Sequence, residues 1–460
     1  MNLATTQTRR HGHTVKEHIL TAPLVHGSAR NTGDTSSTGG TGSTGSADTR
    51  TIDIYARQYV PDGGENLPAL LFLQGGPGHG SPRPQANGDG GELSGWLGEA
   101  LKNYRVILFD QRGTGRSTPV DVAVPEALGP SPADQAEYLT HLRADSIVAD
   151  AELLREALGE DPWTLLGQSF GGFCITTYLS QRPEGVAEAF FTGGLPGFVG
   201  ASDTRIDDVY RATYAKTAIR NDRFTARYPW AQQRIAEICR HLDDTEESLP
   251  TGERLTSRRF RTVGMNLGRT GGFDTLAYLL EEPFRTVPGS PGSAGRRRLR
   301  TPFLTELSSH LSVADAPLYA VVHETIYGIR GATNWSAHRI REEVPGFAEE
   351  DGHYLTGEHF YPWHFDEDPA LRPWKAVADL LADKDDWTPL YDADQLRNTE
   401  VPTAAAVYLD DIFVPFELSM ETAATIRGLQ PHVTNRWEHN GISQDGASIF
   451  KHLRALTQDH

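Results

Sequence analysis

The chain has 460 residues, 38% of them hydrophobic and 23% charged, and it carries a formal net charge of −18 at pH 7. An acidic surface of this kind repels nucleic acid and anionic membranes, so neither is expected as a partner. The two cysteines, Cys174 and Cys239, are too few for a disulfide framework and predict a cytoplasmic protein. We expect neither a signal peptide nor a membrane span, because the first residues lack an apolar core and no run of about 18 apolar residues occurs.

The first part of the chain predicts two strands joined by a long loop. Residues 27–48 are of low complexity, rich in Gly, Ser and Thr, and such a segment buries little apolar surface. HILTAPLVH (18–26) before it and TIDIYARQYV (51–60) after it have the apolar content of strands. We therefore predict a strand pair with an inserted flexible loop.

Beyond residue 60, short apolar runs alternate with helical patterns. Strands are predicted at 68–76, 104–113, 163–167 and 187–194, and helices at 143–158 and 170–183. Strands that alternate with helices are typical of a parallel sheet covered on both faces. The sequence therefore predicts an α/β fold with a mostly parallel central sheet.

A large helical segment interrupts this alternation. From about residue 200 to 395 the sequence is mainly helical, and a strand at 401–411 and a closing helix at 446–457 then restore the α/β pattern. We expect 1–199 and 396–460 to form the N- and C-terminal parts of one core, with 200–395 as an inserted helical cap domain.

The stretch GQSFG (167–171) lies between an apolar run and a helical pattern. This is the context of the strand-turn-helix in which a serine nucleophile is exposed above a sheet, so Ser169 is the candidate nucleophile. The turn leaves the backbone N–H of Phe170 at the start of the helix, where it can stabilise an oxyanion. A phosphate-binding or purely structural turn is the alternative.

A second oxyanion donor is expected from the loop QGGPGHG (74–80). Consecutive glycines expose backbone N–H groups and let a substrate approach closely, and we assign the second donor to Gly76. No G-K-[ST] ends this loop, so it is not a Walker phosphate loop. An ordinary glycine-rich turn is the alternative.

A serine nucleophile needs a base, and the base needs an orienting acid. In this fold class the order along the chain is serine, acid, histidine. Asp411 follows a late strand and is favoured over Asp410 by its spacing to a following proline, and His439 precedes the final helix and is favoured over His432.

Taken together, these motifs resemble those of the proline iminopeptidases (prolyl aminopeptidases) of the α/β-hydrolase superfamily. The resemblance covers most of the chain outside 27–48. It rests on GGPGHG (75–80), FDQRGTGRS (109–117), GQSFGG (167–172), HETIYG (323–328), TGEHFYPWHF (356–365), YLDD (408–411) and EHNG (438–441). Gln74 stands where the family often has histidine, which leaves the backbone donors unchanged.

The resemblance implies an α/β-hydrolase fold and a serine exopeptidase that releases proline from small peptides with a free N-terminus, with no metal or cofactor. It implies that Glu324 and Glu358 hold the charged amine and that Phe360, Tyr361 and Trp363 line the pocket for the proline ring. Structural glutamates and core packing of the cap are the alternatives. Asp110 and Arg112 are expected to brace a turn rather than to contact substrate.

Two other functions fit the same sequence. An esterase, lactonase or broader aminopeptidase would keep the triad and differ in the cap, where specificity is determined. A non-catalytic binding protein on the same fold would be expected to lose a triad member, whereas this sequence has all three. The sequence leaves the oligomeric state open.

Overall fold

The computed structural model of the chain describes residues 2–27, 48–86, 92–121, 125–197, 206–288, 295–327, 330–350 and 353–458. Its strands are β1 (Asn2–Arg10), β2 (His13–Pro23), β3 (Thr51–Val60), β4 (Ala69–Leu73), β5 (Arg105–Asp110), β6 (Trp163–Gln168), β7 (Val186–Thr192), β8 (Glu247–Ser248), β9 (Arg254–Leu255), β10 (Phe284–Val287), β11 (Arg296–Leu299), β12 (Thr403–Tyr408) and β13 (Gln430–Thr434).

Its α-helices are α1 (Gly95–Ala100), α2 (Pro132–Thr140), α3 (Ala144–Leu158), α4 (Phe170–Gln181), α5 (Ile206–Arg227), α6 (Pro229–Asp244), α7 (Ser257–Arg261), α8 (Gly272–Glu281), α9 (Thr301–Leu311), α10 (Pro317–Val321), α11 (Ser336–Arg341), α12 (His364–Glu367), α13 (Lys375–Asp383), α14 (Ala393–Asn398), α15 (Phe416–Thr425) and α16 (Gly441–Gln458). None of these described helices is long and apolar enough to cross a bilayer.

Nine strands form one sheet in the order β1-β2-β3-β5-β4-β6-β7-β12-β13. The pairs β1–β2, β2–β3 and β3–β5 are antiparallel, and the six strands from β5 to β13 in that order are parallel. Because parallel neighbours need crossover connections, helices cover both faces of the sheet. The mostly parallel sheet that the sequence predicts is confirmed.

The two faces of the sheet support separate hydrophobic cores. Leu71 and Leu73 of β4 pack into the core that contains α3 and α4, whereas Leu70 and Phe72 pack into the core that contains α1 and α16. This alternation follows from the two-residue period of a strand. The central strand β4 is therefore buried on both sides, which explains its uninterrupted apolar sequence.

The chain between β7 and β12 is mainly helical, with the two short hairpins β8–β9 and β10–β11, and we call its described residues 206–398 the cap segment. Its two flanking strands are hydrogen-bonded neighbours, with Thr403 opposite Ala189. The predicted domain limits at 199/200 and 395/396 stay a prediction.

The strands predicted at both ends of the long N-terminal loop are present as β2 and β3, which pair antiparallel. The loop predicted at 27–48 lies outside the described residues except at its two ends. Two strands of the nine-stranded sheet were not predicted from the sequence, β1 and β13, and both lie at its edges. The short hairpin strands β8 to β11 of the cap segment were not predicted either.

Candidate active site

Ser169 occupies a strained turn between β6 and α4, with φ 53° and ψ −123°. Glycines make this turn possible, because a Cβ on Gly167 would lie 2.6 Å from the backbone of Gly171. A Cβ on Gly171 would lie 2.0 Å from the carbonyl oxygen of Leu73. The turn is thus pressed against the end of β4, and strain of this kind is typical of functional positions.

His439 joins Ser169 to Asp411 in a continuous hydrogen-bonded series. Its Nε2 lies 2.9 Å from Ser169 Oγ and its Nδ1 lies 2.7 Å from Asp411 Oδ2. An ionised carboxylate only accepts hydrogen bonds, so Nδ1 carries the proton and Nε2 is free to accept one from the serine. The N–H groups of Phe413 and Val414 donate to Asp411 Oδ1 at 2.8 and 3.0 Å and hold the carboxylate in place.

The two competing assignments lie apart from this series. Asp410 forms an ion pair with Arg223 at 2.7 Å. His432, on the edge strand β13, packs against His452 with ring centroids 4.3 Å apart. The structure therefore brings Asp411, not Asp410, and His439, not His432, to Ser169.

The two predicted oxyanion donors belong to the two segments that meet at the serine. Gly75 and Gly76 line the same cavity as Ser169, and a Cβ on Gly75 would lie 2.9 Å from the Ser169 Cβ. Phe170 is the first residue of α4, so its N–H has no acceptor within the helix, while its side chain is buried. Gly76 thus lines the cavity over the serine and Phe170 follows the serine in the chain, and their role as oxyanion donors stays a prediction.

A cavity of about 560 Å³ lies over the serine, within the size range of small-molecule sites. Core residues Gly76, Ser169 and His439 form one side of it, and residues of the cap segment form the other. The cap side includes Arg269, Tyr319, Glu358 and Phe360. A substrate carbonyl at the serine is therefore enclosed between core and cap.

Glu358 is a largely buried acid in the cap wall of this cavity, with 16% of its side chain exposed. Burial raises the pKa of Glu358 to about 7, and the hydroxyl of Tyr319 donates a hydrogen bond to its Oε1. His323 Nε2 lies 3.8 Å from Glu358 Oε2, and burial lowers the pKa of His323 to about 3, so this histidine is neutral and does not balance the carboxylate. A bound cation would relieve the cost of charging Glu358.

The other predicted substrate contacts divide between the cavity and the interior of the cap. Phe360 lines the cavity, but Glu324, Tyr361 and Trp363 are not among its lining residues. The Glu324 carboxylate accepts hydrogen bonds from the backbone N–H groups of Ser336 and Ala337 at 3.1 and 2.9 Å, at the start of α11. This is the geometry of a side chain that caps a helix N-terminus.

Tyr361 and Trp363 pack inside the cap. Their rings stack on each other at 5.2 Å, and the Tyr361 hydroxyl is hydrogen-bonded to that of Tyr214 at 2.9 Å. Arg258 covers the Trp363 ring at 4.8 Å. Their geometry matches the core-packing alternative for these two residues.

The FDQRGTGRS motif builds the scaffold beneath the site. Asp110 Oδ1 accepts from the N–H of Ser81 at 2.8 Å, and its Oδ2 accepts from the N–H of Arg116 at 2.8 Å. Arg112 is buried and donates to both oxygens of Asp150 at 2.6 Å. These contacts support the bracing role expected for Asp110 and Arg112.

The cavity residues that sequence reasoning missed include Arg269, Tyr319 and Phe413. Tyr319 lies four residues before His323, and their rings are in edge contact at 5.4 Å. Phe413 lies two residues after Asp411 and packs its ring 4.6 Å from that of His439. Proximity to recognised motifs was the available signal for both, whereas no motif includes Arg269.

Comparison with known proteins agrees with this geometry. The α/β hydrolase fold family matches residues 68–284. A proline iminopeptidase of Aeromonas sobria is 44% identical over 398 residues, 86% of this chain and 88% of that protein. One of Aspergillus aculeatus is 30% identical over 427 residues, 90% of each chain.

A crystal structure of the Mycobacterium smegmatis proline iminopeptidase is more distant, at 15% identity and a TM-score of 0.40, with 89% of this chain and 96% of that one covered. The Aeromonas and Aspergillus proteins match along nearly their whole lengths, and the matched span includes the turn at Ser169 and the cap segment. The chain belongs to the proline iminopeptidase family of α/β hydrolases.

Proposed function

We propose that this chain is a serine exopeptidase that releases N-terminal proline from small peptides. The observation that carries the proposal is the hydrogen-bonded series Ser169–His439–Asp411 at the base of a cavity whose opposite wall holds the buried acid Glu358. The nearly full-length similarity to the Aeromonas sobria proline iminopeptidase supports the same activity.

The mechanism follows from this geometry. His439 Nε2 removes the proton from Ser169 as the hydroxyl oxygen attacks the prolyl carbonyl carbon, and Asp411 stabilises the imidazolium that forms. The N–H groups of Gly76 and Phe170 bind the negative oxygen of the tetrahedral intermediate. His439 then gives its proton to the leaving amine. In the second half of the reaction His439 removes a proton from water as the water attacks the prolyl ester, and it gives that proton to Ser169 as the ester bond breaks.

Glu358 accounts for the exopeptidase character of the reaction. A free prolyl amine carries a positive charge, which pairs with the carboxylate in the shielded cavity, while a blocked amine leaves that carboxylate without a partner. Tyr319 aims the carboxylate, and Phe360 offers an apolar surface to the proline ring. Glu324 holds α11, so a single glutamate acts as the amine anchor.

We also propose that the protein is located in the cytoplasm. Cys174 and Cys239 are both free thiols, which suits a reducing compartment.

A panel of aminoacyl β-naphthylamides tests the function. Prolyl naphthylamide is expected to be turned over fastest, ahead of the alanyl, leucyl and arginyl compounds, with no turnover of N-acetylprolyl naphthylamide. S169A removes the nucleophile and is expected to abolish turnover, and E358Q is expected to raise KM for the prolyl compound about tenfold or more, because a charge-assisted contact is lost. Preference for simple esters over every naphthylamide would favour the esterase alternative.

A further inference from the structure

Arg269 is an exposed cation in the mouth of the cavity. It is the only arginine or lysine among the described lining residues, whereas Glu358, Asp315 and Asp368, the last paired with Arg259, are acids that line the same cavity. Within the described ranges no carboxylate forms a salt bridge with it, although most arginines of the cap segment are paired in this way. The guanidinium lies over the Phe413 ring and interacts electrostatically with Glu358, and its hydrogen-bond donors remain available to an anion.

The backbone around Arg269 is fixed to the loop of the catalytic base. The N–H of His439 donates to the carbonyl of Gly268 at 3.3 Å, and the N–H of Thr270 donates to Asn440 Oδ1 at 2.9 Å. The ring of Phe413 lies between the two side chains, 4.6 Å from the His439 ring and 5.8 Å from the Arg269 Cζ. Arg269 is thus held on the His439 side of the serine.

The mechanism determines which part of a substrate lies on that side. His439 protonates the leaving amine, so the residue that follows proline must sit beside it. In a dipeptide the carboxylate carbon is two bonds from that nitrogen, at a distance of roughly 2.5 Å. A guanidinium group can donate two parallel hydrogen bonds to one carboxylate. The C-terminal carboxylate of a dipeptide whose leaving amine lies beside His439 is therefore complementary to Arg269 in charge and in geometry.

We infer that Arg269 binds the C-terminal carboxylate of prolyl dipeptides, which makes the zwitterion of proline followed by one residue the preferred substrate. The inference rests on the proposed function, since it needs Ser169 and His439 to cleave the prolyl bond. Glu358 binds the positive end of such a molecule and Arg269 binds its negative end.

The test compares Pro-Gly with Pro-Gly amide, which share a scissile bond and differ in the terminal charge. The readout is the ratio of kcat/KM for Pro-Gly to kcat/KM for Pro-Gly amide. In the unmodified chain we expect a ratio of about 10 to 100, the range for a hydrogen bond between charged groups. R269Q is expected to bring the ratio close to one, and R269K, which keeps the charge without the fork, is expected to give an intermediate value.

A matched control is R240Q, which removes the same charge from α6, where Arg240 does not line the cavity, and it is expected to keep the ratio of the unmodified chain. Salt gives a second measurement that needs no variant: the ratio is expected to fall between about 0.05 and 0.5 M NaCl. A ratio near one in the unmodified chain, or an unchanged ratio in R269Q, would overturn the inference. Failure of the unmodified chain to cleave prolyl naphthylamide would instead overturn the proposed function.

Discussion

Two adjacent aspartates with the same chemistry have different surroundings. Asp411 is almost fully buried and holds His439, while Asp410 is partly exposed and pairs with Arg223. An acid in a triad acts through the position and tautomer of its histidine, so a neighbouring carboxylate cannot replace it from a different direction.

Replacing either aspartate by asparagine separates these roles. D411N is expected to lower kcat on prolyl naphthylamide by about 10³- to 10⁴-fold, because the amide favours the wrong histidine tautomer. D410N loses only a partly exposed ion pair and serves as the matched control, with kcat within about twofold of the unmodified chain. Equal losses in the two variants would contradict the assignment of Asp411.

Glu358 also couples protonation to folding. Its pKa rises from an ordinary 4.5 to about 7 in the folded chain because the carboxyl group is buried. Between these two pH values the folded chain holds a proton that the unfolded chain has lost, so the free energy of unfolding decreases as the pH rises through this range.

E358Q removes this titration. Between pH 4.5 and pH 8 the unmodified chain is expected to lose up to about 3 kcal/mol of its free energy of unfolding through this group, and E358Q is expected not to show that loss. Urea unfolding at both pH values measures the difference. Parallel pH profiles for the two proteins would show that Glu358 titrates normally in the folded chain.

At the scale of elements, the close approach of β4, β6 and α4 determines where Ser169 lies. Gly171 has no space for a side chain, because its added Cβ would meet the carbonyl of Leu73 and not a movable side chain. Gly171 of the GQSFGG motif is therefore required for packing, in addition to marking the position of the nucleophile.

G171A is expected to lower the free energy of unfolding by about 3 kcal/mol, since backbone must shift to admit the methyl group. G27A is the control, because no atom lies within 4 Å of its added Cβ and its φ is not in the left-handed region. Urea denaturation followed by circular dichroism compares the two variants. Equal stability of G171A and G27A would show that the turn can relax around the methyl group.

Buried elements could be predicted from the sequence and edge elements could not. β4 and β6 are short apolar runs that end at glycines, so their pattern indicates strands. β1 is exposed at nearly every position and pairs only with β2, and β13 is short and half-exposed. An edge strand buries little side-chain surface, so hydrogen bonding to its neighbour forms it without an apolar pattern.

The site shows the same limit. That Ser169, His439 and Asp411 lie together could be predicted, because a fixed turn and a fixed order along the chain accompany this arrangement. The capping contact of Glu324 depends on α11, which begins twelve residues later, and no local pattern indicates that packing. Motif membership alone therefore indicated which core residues meet at the site, but it did not distinguish cap residues that line the cavity from cap residues that are structural.

At the scale of the whole molecule, one buried arginine connects the core to the cap segment. Arg143 precedes α3 and donates to the carbonyls of Thr325, Tyr327 and Thr388 at 3.1 to 3.3 Å. Its guanidinium also covers the ring of Trp387 at 4.7 Å. Two separate parts of the cap segment, around residues 325–327 and 387–388, thus share one core side chain.

R143Q is expected to leave buried carbonyls without donors and to lower the free energy of unfolding by at least about 2 kcal/mol. We also expect faster proteolysis within residues 206–398, because the cap segment loses a contact to the core. R240Q again provides the charge-matched control. Unchanged unfolding and proteolysis of R143Q would show that other contacts suffice to hold the two parts together.

The position at which the cap segment leaves and rejoins the sheet has a consequence for how such enzymes diversify. β7 and β12 pair directly, with Ala406 opposite Thr192, so the ladder of backbone hydrogen bonds is complete whatever chain connects them. Inserts of other lengths can be transplanted between these two strands without interrupting the sheet, provided that they keep the backbone contacts of Gly268 and Thr270 to the His439 loop. Selectivity can therefore be altered by nature or in the laboratory while the sheet and these two contacts preserve catalysis.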